Sequence, residues 1–246
     1  MSGEPAARPA LKRVGHKGAD LITPGNTLQS FDAALAAGVD MVEFDVLPER
    51  VDGGGRLLLA HDYDDAGARD PLTLEQGLAH FLQDAWSGVE LVIDLKLPGY
   101  EERVVHALRA HGLASRALIS TMEAESLAAV RRAGSDLRLG WSIPRVRRDL
   151  LAHPVTRVAA LAAARYGRLV TPRRVAAAIR DGRIDAVMAH WALVAPRLVR
   201  AVEQAGGELY VWTVDDAARI AALERLGVTG VITNDPRLFG PAPAGA

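Results

Sequence analysis

The sequence predicts an α/β fold, a (β/α)8 TIM barrel with a β-hairpin after the second strand. Three observations carry that expectation. Short β-type runs alternate with Ala-rich helical runs along nearly the whole chain. The β-type runs number eight, the count of a closed barrel. Most of them are continuously apolar, as expected of parallel strands covered on both faces.

The expected strands are Lys12–His16, Asp40–Val46, Glu90–Lys96, Ala117–Thr121, Arg138–Ser142, Ala186–His190, Leu209–Val214 and Thr229–Thr233. Helices fall between them. Thr27–Ala37 has Asn26 or Thr27 as its cap and Gly38 as its stop. Leu74–Ala85 follows Thr73, with Gln76 placed to complete a capping box. Glu101–His111 ends at Gly112 and Glu123–Ala133 at Gly134. Pro172–Asp181, Pro196–Ala205 and Asp215–Leu226 complete the set, the first two with Pro near the start; a further helix is expected over Arg157–Tyr166. One run, Arg56–Ala60, breaks the alternation. It follows the second strand too closely for a crossover helix, and Asp52-Gly53-Gly54-Gly55 is turn chemistry. Residues 43–61 therefore read as a β-hairpin, and a turn centred near Gly53 sets Asp45 opposite His61.

One barrel domain is expected over residues 11–239, with flexible ends at 1–10 and 240–246, which are rich in Pro, Ala and Gly. The long stretch Ile143–Thr156 is a candidate lip over the barrel mouth or a solvated basic loop. Of 246 residues, 49% are hydrophobic and 24% charged, which favours a packed core over disorder. A net charge of -1 gives no support for nucleic acid as a partner. Without cysteine, disulfides and thiolate metal sites are excluded. No run reaches the roughly 20 apolar residues of a membrane span, and the first ten residues do not read as a secretory signal. A cytoplasmic location is the resulting expectation.

Glu43 and Asp45 are two residues apart on one strand, so they share a face. In a barrel that face points inward, near the C-terminal rim. Two carboxylates in an apolar frame need compensation, and a hard divalent cation, Mg²⁺ or Ca²⁺, supplies it through oxygen ligands. Asp94 offers a third oxygen donor and Lys96 shares its face; the competing reading is an ion pair of strand ends, such as Lys96 with Glu43. His16 and His61 each end a strand-like run; taken singly, His16 also reads as a satisfied core histidine and His61 as a turn-proximal surface one. A pair of histidines beside a metal suits phosphoryl transfer, one removing a proton and the other returning one. His190 closes a strand and is a candidate for the mouth. His80, His106, His111 and His153 sit in helical or loop contexts and are expected to be structural. Trp212 is either an apolar wall for a substrate or a core residue with its N–H satisfied.

Seven motifs then stand in order: His16-Lys17-Gly18, Pro24-Gly25-Asn26-Thr27, Glu43-Phe44-Asp45, His61-Asp62, Asp94-Leu95-Lys96, Trp212-Thr213 and Thr233-Asn234-Asp235-Pro236. In order and spacing the chain resembles the glycerophosphodiester phosphodiesterase family over nearly its whole length. The resemblance implies a barrel enzyme that cleaves glycerophosphodiesters to glycerol 3-phosphate and an alcohol. It implies a divalent metal on Glu43, Asp45 and Asp94, His16 and His61 as the acid–base pair, and Lys17 and Lys96 near the phosphate. It also implies attack by the substrate's own neighbouring hydroxyl, through a cyclic phosphate. Three positions depart from the family's pattern: Lys17 for Arg, Gly25 for Glu and Asp94 for Glu, and the segment after His61 lacks the usual insertion. The Asp-x-Lys form is similar to sphingomyelinase D-like enzymes, which makes a lysophospholipid an alternative substrate. A catalytically weak barrel binding a phosphorylated ligand is a third reading.

Overall fold

A computed structural model describes residues 10–134, 136–144 and 171–241. Its sheet contains β1 (Lys12–Gly15), β2 (Met41–Pro48), β3 (Leu57–Leu58), β4 (Glu90–Leu95), β5 (Ala117–Thr121), β6 (Arg138–Ile143), β7 (Ala186–His190), β8 (Glu208–Trp212) and β9 (Gly230–Thr233). All but β3 pair in parallel in the order β1-β9-β8-β7-β6-β5-β4-β2, and β1 also pairs with β2. That last pairing closes an eight-stranded barrel. The helices are α1 (Leu28–Ala36), α2 (Tyr63–Ala68), α3 (Leu74–His80), α4 (Glu101–Ala110), α5 (Ala124–Ala133), α6 (171–180), α7 (Pro196–Gln204) and α8 (Ala217–Leu226).

Two apolar layers follow from the strand period of two. The outward residues of the strands, such as Val42, Phe44, Ile93 and Val211, pack with the helices in the larger core. The inward residues Val14, Met41, Val92, Leu118, Ala186, Met188, Tyr210 and Ile232 form a separate cluster inside the barrel. Two residues earlier on four strands, Lys12, Glu90, Arg138 and Glu208 form a charged plug. Glu90 pairs with both Lys12 and Arg138, and Arg138 Nη2 reaches Glu208 Oε2 at 2.6 Å. Two residues later, the same inward faces carry the polar groups of the opposite rim. Alternation on parallel strands thus sorts the interior into a charged floor, an apolar middle and a polar mouth.

The capping signals act as the sequence implies. Thr27 accepts from Ser30 N at α1, Thr73 and Gln76 complete a capping box at α3, and Gly227 closes α8 in the left-handed conformation. Three details differ from expectation. The helix expected over Leu74–Ala85 stops at His80 and a 3-10 turn, Asp84–Trp86, follows. The β2–β3 hairpin pairs Leu47 with Leu58 and Pro48 with Leu57. Carried inward, that register faces Asp45 with Ala60 and not His61, because the pairing is centred between Asp52 and Gly53 and not on Gly53. An extra helix, α2, follows His61 directly. The part of the expected lip from residue 145 on, the expected helix Arg157–Tyr166, His153 and most of the expected flexible ends lie outside the described residues.

Candidate active site

The three carboxylates meet at the polar mouth. Parallel register sets Asp45 beside Asp94 and Asp94 beside Ser120. Glu43, Asp45 and Asp94 each offer an oxygen within 4.8 Å of the others'. Lys96 lies among them, its Nζ 2.6 Å from Asp45 Oδ1 and 2.8 Å from Asp94 Oδ2. The ion-pair alternative therefore applies to Lys96, but with Asp45 and Asp94 in place of Glu43. Ser120 Oγ donates to Asp94 Oδ1 at 2.7 Å. Tyr100 ties the two strand ends together: its hydroxyl donates to Val46 O at 2.6 Å and accepts from Lys96 N at 2.9 Å.

Asp45 is fully buried and is held from the opposite side by Asn26. Asn26 Nδ2 donates to Asp45 Oδ2, and Asp45 N donates to Asn26 Oδ1, both at 3.0 Å. Asn26 occupies the left-handed region, at φ 56°. It is a clamp on the acidic cluster, while Thr27 alone caps α1. The loop between β1 and α1 is drawn over Glu43 in the same way. Lys17 N donates to Glu43 Oε2 at 2.8 Å, and Ser30 Oγ donates to Lys17 O at 2.6 Å. Gly18 is needed at the bend: its φ is +85°, and a Cβ there would lie 2.4 Å from Ser30 Oγ.

These surroundings set the charges. Burial would raise Asp45, yet the Lys96 ammonium, with His61 and His16, holds it well below the ordinary carboxylate range. Burial opposes the Lys96 charge, but Asp45, Asp94 and Glu43 outweigh it and push its pKa up. Glu43 is pushed well above its ordinary value by burial and by the Asp45 charge. A single ammonium does not neutralise even Asp45 and Asp94 together. Asp45 Oδ1 is buried against the Lys96 ammonium. A set of hard oxygen donors with surplus negative charge fits a divalent cation.

The histidines stand on the same cavity. A volume of about 180 Å³ is lined by His16, Glu43, His61, Asp94, Lys96 and Trp212, with Ser120, Met122, Ser142, Met188, Thr213 and Ile232. His16 follows β1; its Nδ1 is 2.6 Å from Asn234 Oδ1 and its Nε2 3.9 Å from Glu43 Oε2. Burial lowers its pKa, an effect opposed by Asp45. His61 is half exposed at the rim. Its Nδ1 is 3.1 Å from Asp62 Oδ2, and Asp62 also caps α2 by accepting from Asp65 N. Trp212 lines the cavity, and its Nε1 donates to Met188 O at 2.8 Å.

Lys17 and His190 are placed differently. The Lys17 ammonium turns to Asp20 Oδ2, at 2.9 Å, and is not among the cavity-lining residues. His190 stands behind Trp212, edge-on with ring centroids 5.1 Å apart. Of the other histidines, His80 pairs with Asp32 and His111 with its own helix. Sequence reasoning gave no role to Ser120, Tyr100, Asp20 or Asp215 and only a capping role to Asn26. The one available signal was polar residues within or just after apolar strand runs, as in ALIST for Ser120.

Residues 16–62 and 83–238 match the family model described as the Glycerophosphoryl diester phosphodiesterase family. The unmatched residues between them are those that follow His61. A glycerophosphodiester phosphodiesterase of Caldanaerobacter subterraneus subsp. tengcongensis is 24% identical over 257 residues, spanning 91% of this chain and 93% of the relative. Among solved structures, a putative glycerophosphoryl diester phosphodiesterase of Agrobacterium tumefaciens superposes with a TM-score of 0.71 at 20% identity, covering 93% of this chain and 96% of that one. A phosphodiesterase of Oleispira antarctica, solved with the product sn-glycerol-3-phosphate, gives 0.65 at 19% identity, with 94% of each chain covered.

Proposed function

The chain belongs to the glycerophosphoryl diester phosphodiesterase family, and from that membership we propose that it hydrolyses glycerophosphodiesters to glycerol 3-phosphate and an alcohol by histidine acid–base catalysis. The observation that carries the reading is the convergence of His16, His61, Glu43, Asp94 and Lys96 on one cavity. Glu43, Asp45 and Asp94 would hold a divalent cation, Mg²⁺ or Ca²⁺, which supplies positive charge to the phosphoryl oxygens.

The chain's own residues do the rest. His16 takes the proton from the glycerol hydroxyl next to the phosphate, and that oxygen attacks phosphorus. The bond to the alcohol breaks, and the leaving oxygen takes a proton from His61. Water then opens the cyclic phosphate with the two histidines in reversed roles. Lys96 places an ammonium beside the developing charge, and Trp212 gives the substrate an apolar wall.

Release of glycerol 3-phosphate from glycerophosphocholine tests this. The expected result is turnover abolished by chelator, restored by Mg²⁺ or Ca²⁺, and lowered about 100-fold or more in His16→Ala and His61→Ala. No release with either metal, or full activity in both variants, overturns it.

A second reading has an observation of its own. Leu21, Val51 and Tyr63 are three of the four large apolar side chains exposed among the described residues, and all three stand on connections that leave the mouth end of the barrel. In that reading an acyl chain lies over this end of the barrel, with these separate side chains as its contacts. Lysophosphatidylcholine cleaved faster than glycerophosphocholine decides for that substrate; the reverse order decides against it.

A further inference from the structure

His16 is held by more than its strand. Its main-chain N donates to Thr233 O at 2.8 Å, and its Nδ1 lies 2.6 Å from Asn234 Oδ1. An amide side chain has a donor end and an acceptor end, so its orientation decides what it offers an imidazole. Asp215 settles that orientation. Asp215 Oδ2 is 2.7 Å from Asn234 Nδ2, and Asp215 Oδ1 accepts from Asn234 N at 2.8 Å and from Thr233 Oγ1 at 3.0 Å. An acceptor oxygen demands the NH2 end, which leaves the Asn234 oxygen facing His16. Facing an acceptor, Nδ1 must carry the proton.

We infer that Asn234, oriented by Asp215, is a positioning residue that locks neutral His16 in the Nδ1–H tautomer and so presents the Nε2 lone pair to the cavity. The inference rests on the proposed role of His16 and deepens it: a ring fixed in this form can accept a substrate proton at Nε2 and cannot donate one until it has done so. When His16 is neutral, the first proton transfer falls to it as base, and the protonation of the leaving alcohol to His61. The three residues come from different places, the end of β1, the β8–α8 connection and the end of β9. Neither Asn234 nor Asp215 needs to touch the substrate for the relay to act.

The test begins with the ¹⁵N spectrum of the His16 ring in the full-length protein, at a pH where the ring is neutral. The wild type should show a protonated Nδ1 and an unprotonated Nε2. In Asn234→Ala the Nε2–H form should appear, and kcat for glycerophosphocholine should fall about 30-fold or more while KM stays within about threefold. Exchanging the pair, Asn234→Asp together with Asp215→Asn, keeps an acceptor oxygen on Nδ1 and the net charge, with the bond between the two positions now donated by the amide placed at 215 and the carboxylate next to the ring. That protein should regain the wild-type spectrum and come within about fivefold of wild-type kcat. A wild-type ring protonated on Nε2 overturns the proposal. So does an Asn234→Ala ring that stays in the Nδ1–H form, or a folded exchange variant no better than Asn234→Ala. If the spectra behave as expected but His16→Ala retains turnover, the tautomer lock stands and His16 as base falls.

Discussion

Replacing Asn26 with alanine tests how the acidic cluster is held together. The side chain is 1% exposed and makes two hydrogen bonds to Asp45, one to the carboxylate and one from its main-chain N–H. Losing a bond to a charged group costs about 1.5–3 kcal/mol, and stranding a buried N–H about 1–3 kcal/mol. At φ 56° a residue other than Gly, Asn or Asp adds roughly 1 kcal/mol. These terms share one carboxylate and overlap, so the total expected is on the order of 3–5 kcal/mol. Loss of a helix cap alone would cost about 1 kcal/mol. Asn26→Gly loses the same bonds but tolerates the backbone, so it should be about 1 kcal/mol less damaging than Asn26→Ala. Urea unfolding followed by circular dichroism, in chelator, measures both. An alanine variant within 1 kcal/mol of wild type, or no milder effect from glycine, would refute the clamp.

Further outcomes follow from the same geometry. Lys96→Met removes the only ammonium beside Asp45 and Asp94 among the described residues. It should cost about 3–5 kcal/mol in chelator and less with Mg²⁺ or Ca²⁺ present, since a cation bound only by the native state stabilises it; equal losses in the two conditions count against a cation site. Tyr100→Phe takes one partner from Val46 O and one from Lys96 N, which still bond each other at 3.2 Å, and should cost about 0.5–1.5 kcal/mol by urea unfolding; no measurable change would show that the bridge contributes nothing. The lowered pKa of His16 puts the acid limb of kcat/KM below pH 6.5. The unfolded ring takes its proton near 6.5 and the folded ring at lower pH, so the His16 contribution to stability is present above 6.5 and lost as pH falls through the folded value. A limb that His16→Ala removes from above pH 6.5 would contradict this.

The barrel was legible because parallel strands bury both faces. Such strands are written as apolar runs, and Ala117–Thr121 and Ala186–His190 match the observed strands residue for residue. The carboxylates and His16 were legible because alternation assigns Glu43, Asp45 and Asp94 a face. Helix α2 was not, since none of its six residues is buried and no apolar period marks it. The hairpin was seen but not its register. Its turn is closed by Glu49 N to Arg56 O and Arg50 N to Gly54 O, which no residue count reveals. Asn26, Asp215 and Tyr100 act from loops or helix starts, where a single polar residue has no period to betray what it faces.

Lys17 and Gly25 show why a departure from a family pattern is misread one position at a time. Glycine in place of glutamate at position 25 suggests that an acidic group is missing from the rim. The structure has one there, supplied by Asp20: its Oδ1 accepts from Gly25 N at 2.8 Å and its Oδ2 holds Lys17 Nζ at 2.9 Å. A Cβ at position 25 would lie 2.6 Å from Asp20 Oδ1 and 2.7 Å from Lys17 Cβ. Any side chain there would displace Asp20, so the glycine and the aspartate depend on each other. The same pairing fixes what Lys17 can do. Burial would lower its pKa, but the hydrogen bond to Asp20 and the nearby carboxylates raise it, so the ammonium stays charged and engaged at the rim. Lys96, on the cavity wall, is then the cation on which the proposed reaction draws.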